Sequence, residues 1–140
     1  MDLGILSDTL GYLLRRASRD IDRRYQQHFR VLDLSSPQFA ALILIDRNEQ
    51  CTLGDLVRPL GIGQNNMAGL IGELIDKGWV RKETSASDRR ARTLTLTDAG
   101  RALLADAMSV HARFVDEYSA RLGPQRVRDL AQLLQGFEDT

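Results

Sequence analysis

Three consecutive amide side chains, Gln64, Asn65 and Asn66, are the first residues in this sequence whose chemistry suggests a binding function. The amide of asparagine or glutamine donates and accepts hydrogen bonds at the same time, so it can pair with both polar groups on the major-groove edge of adenine. Their position at the start of a predicted helix would let them reach base edges. Asparagine is also a preferred helix N-cap, so a purely structural capping role is the alternative.

Three arginines, Arg89, Arg90 and Arg92, form a second group. They lie between two segments with strand-like patterns, which makes residues 85–92 the tip of a predicted hairpin. A hairpin tip has no core to hold, so arginines there suit contacts to phosphates or to a narrow minor groove, where the negative potential attracts arginine. The alternative is a turn whose charges only face solvent.

The amides belong to the second of two helices that are predicted close together. Thr52 and Asp55 have the spacing of a capping box that begins a short helix, and Gly61 suits the left-handed position that ends it. A longer helix is predicted from about residue 64 to residue 77, because its apolar residues recur at helical spacing. These residues are Met67, Leu70, Ile71, Leu74 and Ile75.

Past Gly78 the apolar period changes from that of a helix to that of a strand. Val80 starts one predicted strand. In the second strand Leu94 and Leu96 are expected to face the core, and the threonines that alternate with them, Thr93, Thr95 and Thr97, are expected to face water. Short helix, turn, longer helix and hairpin in this order predict a winged helix-turn-helix, a fold that places one helix in the DNA major groove.

Amphipathic helices are predicted on both sides of this unit. One covers residue 3 to about residue 30, and the next begins with Ser36 as its cap and Pro37 in its first turn. Thr97 caps a helix that runs to about Leu122, and Pro124 opens the last helix. The residues of the last helix that are expected to face inward are Val127, Leu130, Ala131, Leu134 and Phe137.

The predicted fold class is therefore mostly α with a small antiparallel β-hairpin, in a single domain of residues 1–140. Residues 36–97 form the winged helix-turn-helix lobe. Residues 1–33 and 98–140 are the expected dimerisation helices, because a two-fold interface buries matching apolar stripes from both chains. Ser36 and Gln38 are candidate phosphate contacts, since the N-terminus of a helix attracts anions.

The motifs of this unit resemble the MarR family of bacterial winged-helix regulators. The resemblance rests on Leu60-Gly-Ile62, Gly78-Trp-Val80, Asp88-Arg-Arg90, Leu94-Thr-Leu96-Thr97 and Gly100. It implies a ligand-responsive homodimer that binds a palindromic operator on double-stranded DNA and releases the operator when a small molecule binds. A repressor is the expected role, and an activator is the alternative.

The resemblance also implies roles for individual residues. Residues 64–69 would carry the base-reading positions, although Ala68 and Gly69 stand where the family often has Thr-Arg. Arg90 would enter the minor groove, with Asp88 orienting it.

The dimerisation helices, residues 1–33 and 98–140, would form a dimer platform. An effector pocket would lie between this dimer platform and the DNA-binding lobe, for a small aromatic carboxylate or another phenolic compound. Arg16 would pair with a carboxylate there, and Tyr12, Phe39 and His111 would supply aromatic or polar walls. For Tyr12 and Phe39 the alternative is an ordinary place in the core.

Composition bounds the remaining possibilities. Lys plus Arg number 19 and Asp plus Glu number 19, so the net charge is zero. This balance, together with the missing arginine at position 69, supports the alternative of a winged-helix protein-interaction module that does not bind DNA.

No catalytic constellation, metal-spaced cluster or cofactor-binding loop is recognisable, so we expect that the protein is not an enzyme and binds no cofactor. The single cysteine, Cys51, excludes an intramolecular disulfide, and a redox role for it is an alternative to a structural one. No apolar run of membrane-spanning length and no signal peptide are recognisable, so a cytoplasmic protein is expected.

Overall fold

The structure of the chain, a computed structural model, describes residues 1–84 and 92–137. Its elements follow in the order α1 (Leu10–Phe29), α2 (Ser36–Arg47), α3 (Leu53–Leu60), α4 (Gln64–Asp76), β1 (Val80–Thr84), β2 (Arg92–Leu96), α5 (Asp98–Leu122) and α6 (Pro124–Gln135). Short 3-10 turns, Gly4–Asp8 and Arg30–Leu32, flank α1. β1 and β2 pair antiparallel, with Val80 opposite Leu96. The predicted fold class, mostly α with one antiparallel hairpin, is confirmed.

α3 and α4 form the predicted helix-turn-helix. The capping box is complete, because Thr52 Oγ1 accepts from the backbone N–H of Asp55 at 3.3 Å and the Asp55 carboxylate accepts from the backbone N–H of Thr52 at 2.8 Å. The bond from the Thr52 backbone N–H, with a second one from the Thr52 hydroxyl at 2.8 Å, holds the pKa of the Asp55 carboxyl below its usual value. Gly61 ends α3 with a φ of 62°, a left-handed conformation that glycine adopts at little cost. On α4 the side chains of Met67, Ile71 and Leu74 are fully buried, so this side of the helix is anchored in the core.

The threonines of β2 do not all face water as predicted. Thr93 is buried, beside the buried Leu94. The cause is the segment before α3, which lies along the other edge of β2. Thr52 forms a β-bridge with Thr93, and the backbone N–H of Leu94 donates to the carbonyl of Cys51 at 2.7 Å. Because β2 has neighbours on both edges, Thr93 is closed off from solvent.

The hairpin, α4 and α5 meet at Trp79 and Gly100. The carbonyl of Trp79 accepts from the backbone N–H of Thr97 at 3.0 Å. Thr97 Oγ1 accepts from the backbone N–H of Gly100 at 3.0 Å, so Thr97 caps α5 as predicted. A Cβ atom added at Gly100 would lie 2.0 Å from the Trp79 oxygen. The close approach of the two backbones therefore requires glycine at this position.

The first long helix starts later than predicted. Residue 3 was the expected start, but α1 begins at Leu10, after a separate turn at Gly4–Asp8. Thr9 takes an extended conformation, with ψ of 115°, and its hydroxyl donates to the carbonyl of Ile5 at 2.8 Å. Such a bond from a side chain to a nearby carbonyl competes with helix formation.

The start of α2 is shifted by one residue. The cap is Ser35 and not Ser36, because it is Ser35 Oγ that accepts from the backbone N–H of Gln38, at 3.3 Å. In return, Gln38 Oε1 accepts from the backbone N–H of Ser35 at 3.0 Å. Ser36 and Pro37 therefore occupy the first helical positions. The glutamine three residues after Ser35 selects that serine, since it completes a capping box.

An aromatic cluster fills the space between α1, α2 and α5. Tyr25 stacks on Phe29 with ring centroids 3.9 Å apart, and Phe39 lies 5.1 Å from Phe29. Phe114 of α5 meets Tyr25 edge-on at 6.3 Å. Burial in this cluster raises the pKa of the Tyr25 hydroxyl. These contacts join the long helices to the helix-turn-helix lobe.

α6 does not extend this core, which corrects the prediction that its apolar residues face inward. Leu130 is 47% exposed and Leu133 is 71% exposed, and only Val127 is partly covered. Ala131, Leu134 and Phe137 are exposed as well. Along the described residues, no helix combines the length and the apolar character that crossing a membrane requires. The exposed apolar side of α6 is a surface that a single chain leaves uncovered.

We expect Gly100→Ala to destabilise the protein by about 1–3 kcal/mol or more, because the new methyl group overlaps the Trp79 carbonyl and the backbone must shift. Gly72→Ala is the matched control. A Cβ atom at Gly72 meets open space, and alanine stabilises a helix by about 1 kcal/mol relative to glycine. Urea denaturation followed by circular dichroism measures both changes. Equal stabilities for Gly100→Ala and the wild type would contradict the close approach.

Candidate nucleic-acid interface

The start of α4 presents the three amides without using them as caps. Its N-cap is Gly63, and no side chain forms a capping hydrogen bond there. Gln64, Asn65 and Asn66 are exposed. The purely structural alternative, in which an asparagine caps this helix, is therefore excluded. Three exposed amides lie on the first turn of the helix that the fold class would place in a major groove.

The rest of the outer surface of α4 is bare and carries no cation. Ala68 and Gly69 are exposed, and a Cβ atom at Gly69 would meet nothing within 4 Å. The helix contains no lysine or arginine, and its two charged residues are Glu73 and Asp76. This surface can offer hydrogen bonds and shape to a base edge. Attraction to phosphates must come from other elements.

The two candidate phosphate contacts at α2, Ser36 and Gln38, differ in whether their side chains are exposed. Ser36 is partly exposed in the first turn of α2. Gln38 is only 5% exposed, and besides its capping role it donates from Nε2 to Glu73 Oε2 of α4 at 2.8 Å. The structure thus uses Gln38 to join two helices, and we do not retain it as a phosphate contact.

Arg92 is the only one of the candidate hairpin residues that lies among the described residues. It is exposed and begins β2, opposite Thr84 at the end of β1. On β1 the guanidinium of Arg81 pairs with Glu83 at 2.7 Å. Asp88, Arg89 and Arg90 lie outside the described residues. Arg92 therefore marks the end of the hairpin that leads toward the predicted arginine tip.

The four candidate effector residues do not come together within one protomer. Phe39 and His111 are neighbours, with ring centroids 5.5 Å apart, but Phe39 is only 6% exposed. Tyr12 lies about 20 Å along α1 from Tyr25, at about 1.5 Å per residue. Arg16 belongs to the same N-terminal half of α1. The prediction of a shared pocket thus divides into an aromatic cluster and a separate arginine-rich surface.

That arginine-rich surface borders an open cavity of about 850 Å³ against α1. Among its lining residues, Arg23 pairs with Asp20, and Arg24 pairs with the same carboxylate from outside the cavity lining. The hydrogen bond from Arg24 is the main cause that holds the pKa of Asp20 below its usual value. Arg16 and Arg19 have no ionic partner among the residues that the structure describes. Side-chain periodicity within α1 does not reveal such a cavity, so the sequence alone gives no signal for it.

Cys51 is poorly placed for a redox role. It is buried at the start of the segment that pairs with β2, and its thiol contacts the carbonyl of Thr52 at 3.6 Å. Burial, reinforced by the nearby Asp55 carboxylate, raises the pKa of the Cys51 thiol. The thiolate is the reactive form of cysteine, so the structure favours the structural alternative.

Comparison with known proteins supports the same reading of the lobe. Residues 32–91 match the MarR family. The HTH-type transcriptional regulator PetP of Rhodobacter capsulatus is 30% identical over 135 residues, which cover 94% of this chain and 77% of PetP. The regulator BpsR of Bordetella bronchiseptica, whose DNA binding is regulated by 6-hydroxynicotinic acid, has a TM-score of 0.86 at 28% identity, over 96% of each chain.

The transcriptional repressor CouR is similar in two states. Bound to a 23-mer DNA duplex, it has a TM-score of 0.94 at 32% identity, over 99% of this chain and 98% of CouR. Bound to p-coumaroyl-CoA, it has a TM-score of 0.89 at 29% identity, over 99% and 97%.

These similarities confirm the prediction of a DNA-binding regulator over the alternative of a module that binds only proteins. They also confirm the prediction that the protein is not an enzyme, since the family consists of regulators. The chain belongs to the MarR family of dimeric, DNA-binding transcriptional regulators.

Proposed function

We propose that this protein is a ligand-responsive repressor whose two protomers bind the half-sites of a palindromic operator. Each α4 would place Gln64, Asn65 and Asn66 against base edges in the major groove, with Ala68 and Gly69 lying close to the bases. Two-fold symmetry would separate the half-sites by about one helical turn, roughly 34 Å. The observation that carries this proposal is the exposed start of α4, whose three amides do not cap the helix and have no hydrogen-bond partner among the described residues. The site of action is the cytoplasm, where a bacterial regulator meets its operators.

The arginines of the hairpin would supply the attraction to phosphates that α4 lacks. Arg92 is exposed at the start of β2. On the basis of the sequence, Arg89 would contact DNA phosphates or the minor groove, and Arg90, oriented by Asp88, would enter the flanking minor groove. Ser36, in the first turn of α2, is a further backbone contact because helix N-termini attract phosphate.

The dimer would be formed by residues 1–33 and 98–140, which leaves residues 36–97 as the DNA-binding lobe. Leu130 and Leu133 of α6 are largely exposed in one chain. Leu10, Leu13 and Ile21 on α1 are exposed too. Apolar stripes on two long helices are suited to a self-complementary interface, in which each chain covers the other.

The effector would be an aromatic acid or its coenzyme A thioester. CouR has been solved with p-coumaroyl-CoA, and the DNA binding of BpsR is regulated by 6-hydroxynicotinic acid. In this chain Arg16 and Arg19, together with Arg23, offer guanidinium groups beside an open cavity, and guanidinium binds phosphate well. This charge favours the thioester, which carries phosphates, over the free acid. Phe39 and His111 would receive the aromatic ring after a rearrangement of the cluster. Tyr12 lies one helical turn before Arg16 on α1 and would be a further aromatic contact.

Selection of bound sequences from random DNA should yield a two-fold symmetric duplex rich in A·T pairs at the positions that the amides contact. On that duplex, Asn65→Ala and Asn66→Ala should each weaken binding by about 1–3 kcal/mol, the typical value of one bidentate contact to a base.

Arg90→Ala should weaken binding to the same duplex and lower the salt dependence of binding by about one counterion, whereas the amide variants should leave the salt dependence unchanged. Gln132→Ala, on α6, is the control. Wild-type affinity for both asparagine variants would contradict the proposed reading helix.

Replacing Leu130 and Leu133 by glutamate should convert the dimer to a monomer, because the interface would then bury charges without partners. Sedimentation or light scattering measures the mass directly. The chain should stay folded, since both leucines are exposed in the single protomer. Gln132→Glu adds a charge between them on another side of α6 and should leave the dimer intact. A dimer that persists in the double variant would place the interface elsewhere.

p-Coumaroyl-CoA should release the protein from the selected duplex at a lower concentration than p-coumarate does. Replacing Arg16 and Arg19 by alanine should raise the concentration of thioester that is needed by roughly tenfold, which corresponds to about 1.4 kcal/mol for two exposed charge-assisted contacts. The effect of free p-coumarate should change little. Fluorescence anisotropy of labelled duplex follows the release, and Arg113→Ala on α5 is the control. Equal losses for thioester and free acid would show that the arginines do not recognise phosphates.

A further inference from the structure

One side of α4 is held by two polar contacts that reach across to the junction of α1 and α2. Asn66, Leu70 and Glu73 follow one another at intervals of three or four residues, so they lie on the same side of the helix, and Lys77, its C-cap residue, continues this line. Glu73 and Lys77 make the two contacts. Asn66, at the other end of this side, is one of the proposed base readers. Whatever fixes this side of α4 also fixes the direction of Asn66.

The first contact joins α4 to the cap of α2. Gln38 Nε2 donates to Glu73 Oε2 at 2.8 Å, while Gln38 Oε1 accepts from the backbone N–H of Ser35 at 3.0 Å. The carboxamide of Gln38 is thus held at both ends and is 5% exposed. A side chain that is buried and bonded in this way cannot follow Glu73 to another position without breaking the capping box.

The second contact joins the C-terminus of α4 to the turn after α1. Lys77 Nζ donates to the carbonyl oxygen of Asp33 at 3.0 Å and to its carboxylate at 3.1 Å, and it lies 4.8 Å from the centre of the Trp79 ring. Asp33 ends the turn in a left-handed conformation, with φ of 50°. The long helix of the proposed dimer platform is therefore connected to α4 through its last turn.

We propose that Gln38–Glu73 and Asp33–Lys77 form a two-point tie that sets the rotation of α4 about its own axis, and that Glu73 is a positioning residue for operator recognition. Apolar packing of Met67, Ile71 and Leu74 holds α4 against the core, and the two polar contacts add restraints that depend on direction, because a hydrogen bond weakens as its angle departs from linear. The uncapped first turn adds no restraint of its own. The inference rests on the proposed role of α4 as the reading helix.

Electrostatics and the tie make opposite predictions for Glu73. Glu73 is an exposed carboxylate on a helix that would lie near DNA phosphates. Removing its charge should therefore raise the affinity of the protein for DNA of any sequence. If Glu73 positions the helix, removing its hydrogen bond should instead weaken binding to the operator alone. Glu73→Gln removes the charge and keeps an acceptor for Gln38. Glu73→Ala removes both, so the ratio between the two variants isolates the hydrogen bond.

The test measures the affinity of both variants for the duplex obtained by selection and for a scrambled duplex of the same length and composition. Glu73→Ala should bind the selected duplex roughly five-fold more weakly than Glu73→Gln, the usual value of one hydrogen bond. The two variants should bind the scrambled duplex equally and show the same salt dependence. Asp76→Ala and Asp76→Asn are the matched control, since Asp76 is exposed on the same helix and the described residues give its side chain no partner. That pair should bind both duplexes equally.

Three outcomes would overturn the tie. The two Glu73 variants could bind the selected duplex with equal affinity, or the alanine variant could lose the same affinity for both duplexes, which would show only a smaller folded fraction. The third is the same ratio of affinities between the two Asp76 variants. Failure of the wild type to select any duplex would instead overturn the proposed function. The two failures are therefore distinguishable.

Discussion

The burial of one side of α4 is the constraint on which the rest of the structure depends. Met67, Ile71 and Leu74 are fully buried, and each such side chain contributes about 1.5–3 kcal/mol when it leaves water. The helix would be weak alone, since its N-cap, Gly63, has no side chain to cap it and the helix contains two glycines. Because its stability comes mainly from the core side, the exposed first turn of α4 carries no packing role. The three amides there are available for the proposed contacts to base edges.

The same anchoring places the other elements. Trp79 directly follows the turn that ends α4, and its carbonyl meets Thr97 and Gly100 at the start of α5. A shift of α4 would therefore move both strands and the first turn of α5. The aromatic cluster of Tyr25, Phe29 and Phe114 carries the connection on to the long helices. α4, the hairpin and the long helices are in this way parts of one packed unit rather than separate modules on linkers.

Much of this could be predicted from local signals. The caps at Thr52 and Thr97, the left-handed Gly61 and the apolar stripe of α4 each depend on residues a few positions apart, and the structure has all of them as expected. The wrong predictions have two causes. Some depend on contacts between distant segments, and the cap of α2 depends on which of two neighbouring serines accepts the hydrogen bond. Thr93 is buried by a segment some forty residues earlier in the chain, which alternation within the strand cannot reveal.

The candidate site followed the same division. The amides of α4 were identified from residue type and position, whereas Gln38 looked like a surface residue at a helix start. Its true surroundings include Glu73, and no local pattern links residues 38 and 73. The effector residues were chosen from a family resemblance, and the structure separates Arg16 from the ring pair of Phe39 and His111. Side chains that meet only through tertiary packing, or only in the dimer, lie beyond what spacing can predict.

The absence of cations from α4 affects how the protein searches a chromosome. Sequence-independent attraction to DNA comes mainly from neutralising phosphates, and the only charged residues of α4 are Glu73 and Asp76. In the proposed complex, attraction to random duplex would therefore come from the hairpin arginines and not from the helix that reads the bases. The preference for the operator would then depend chiefly on hydrogen bonds that form when the bases match.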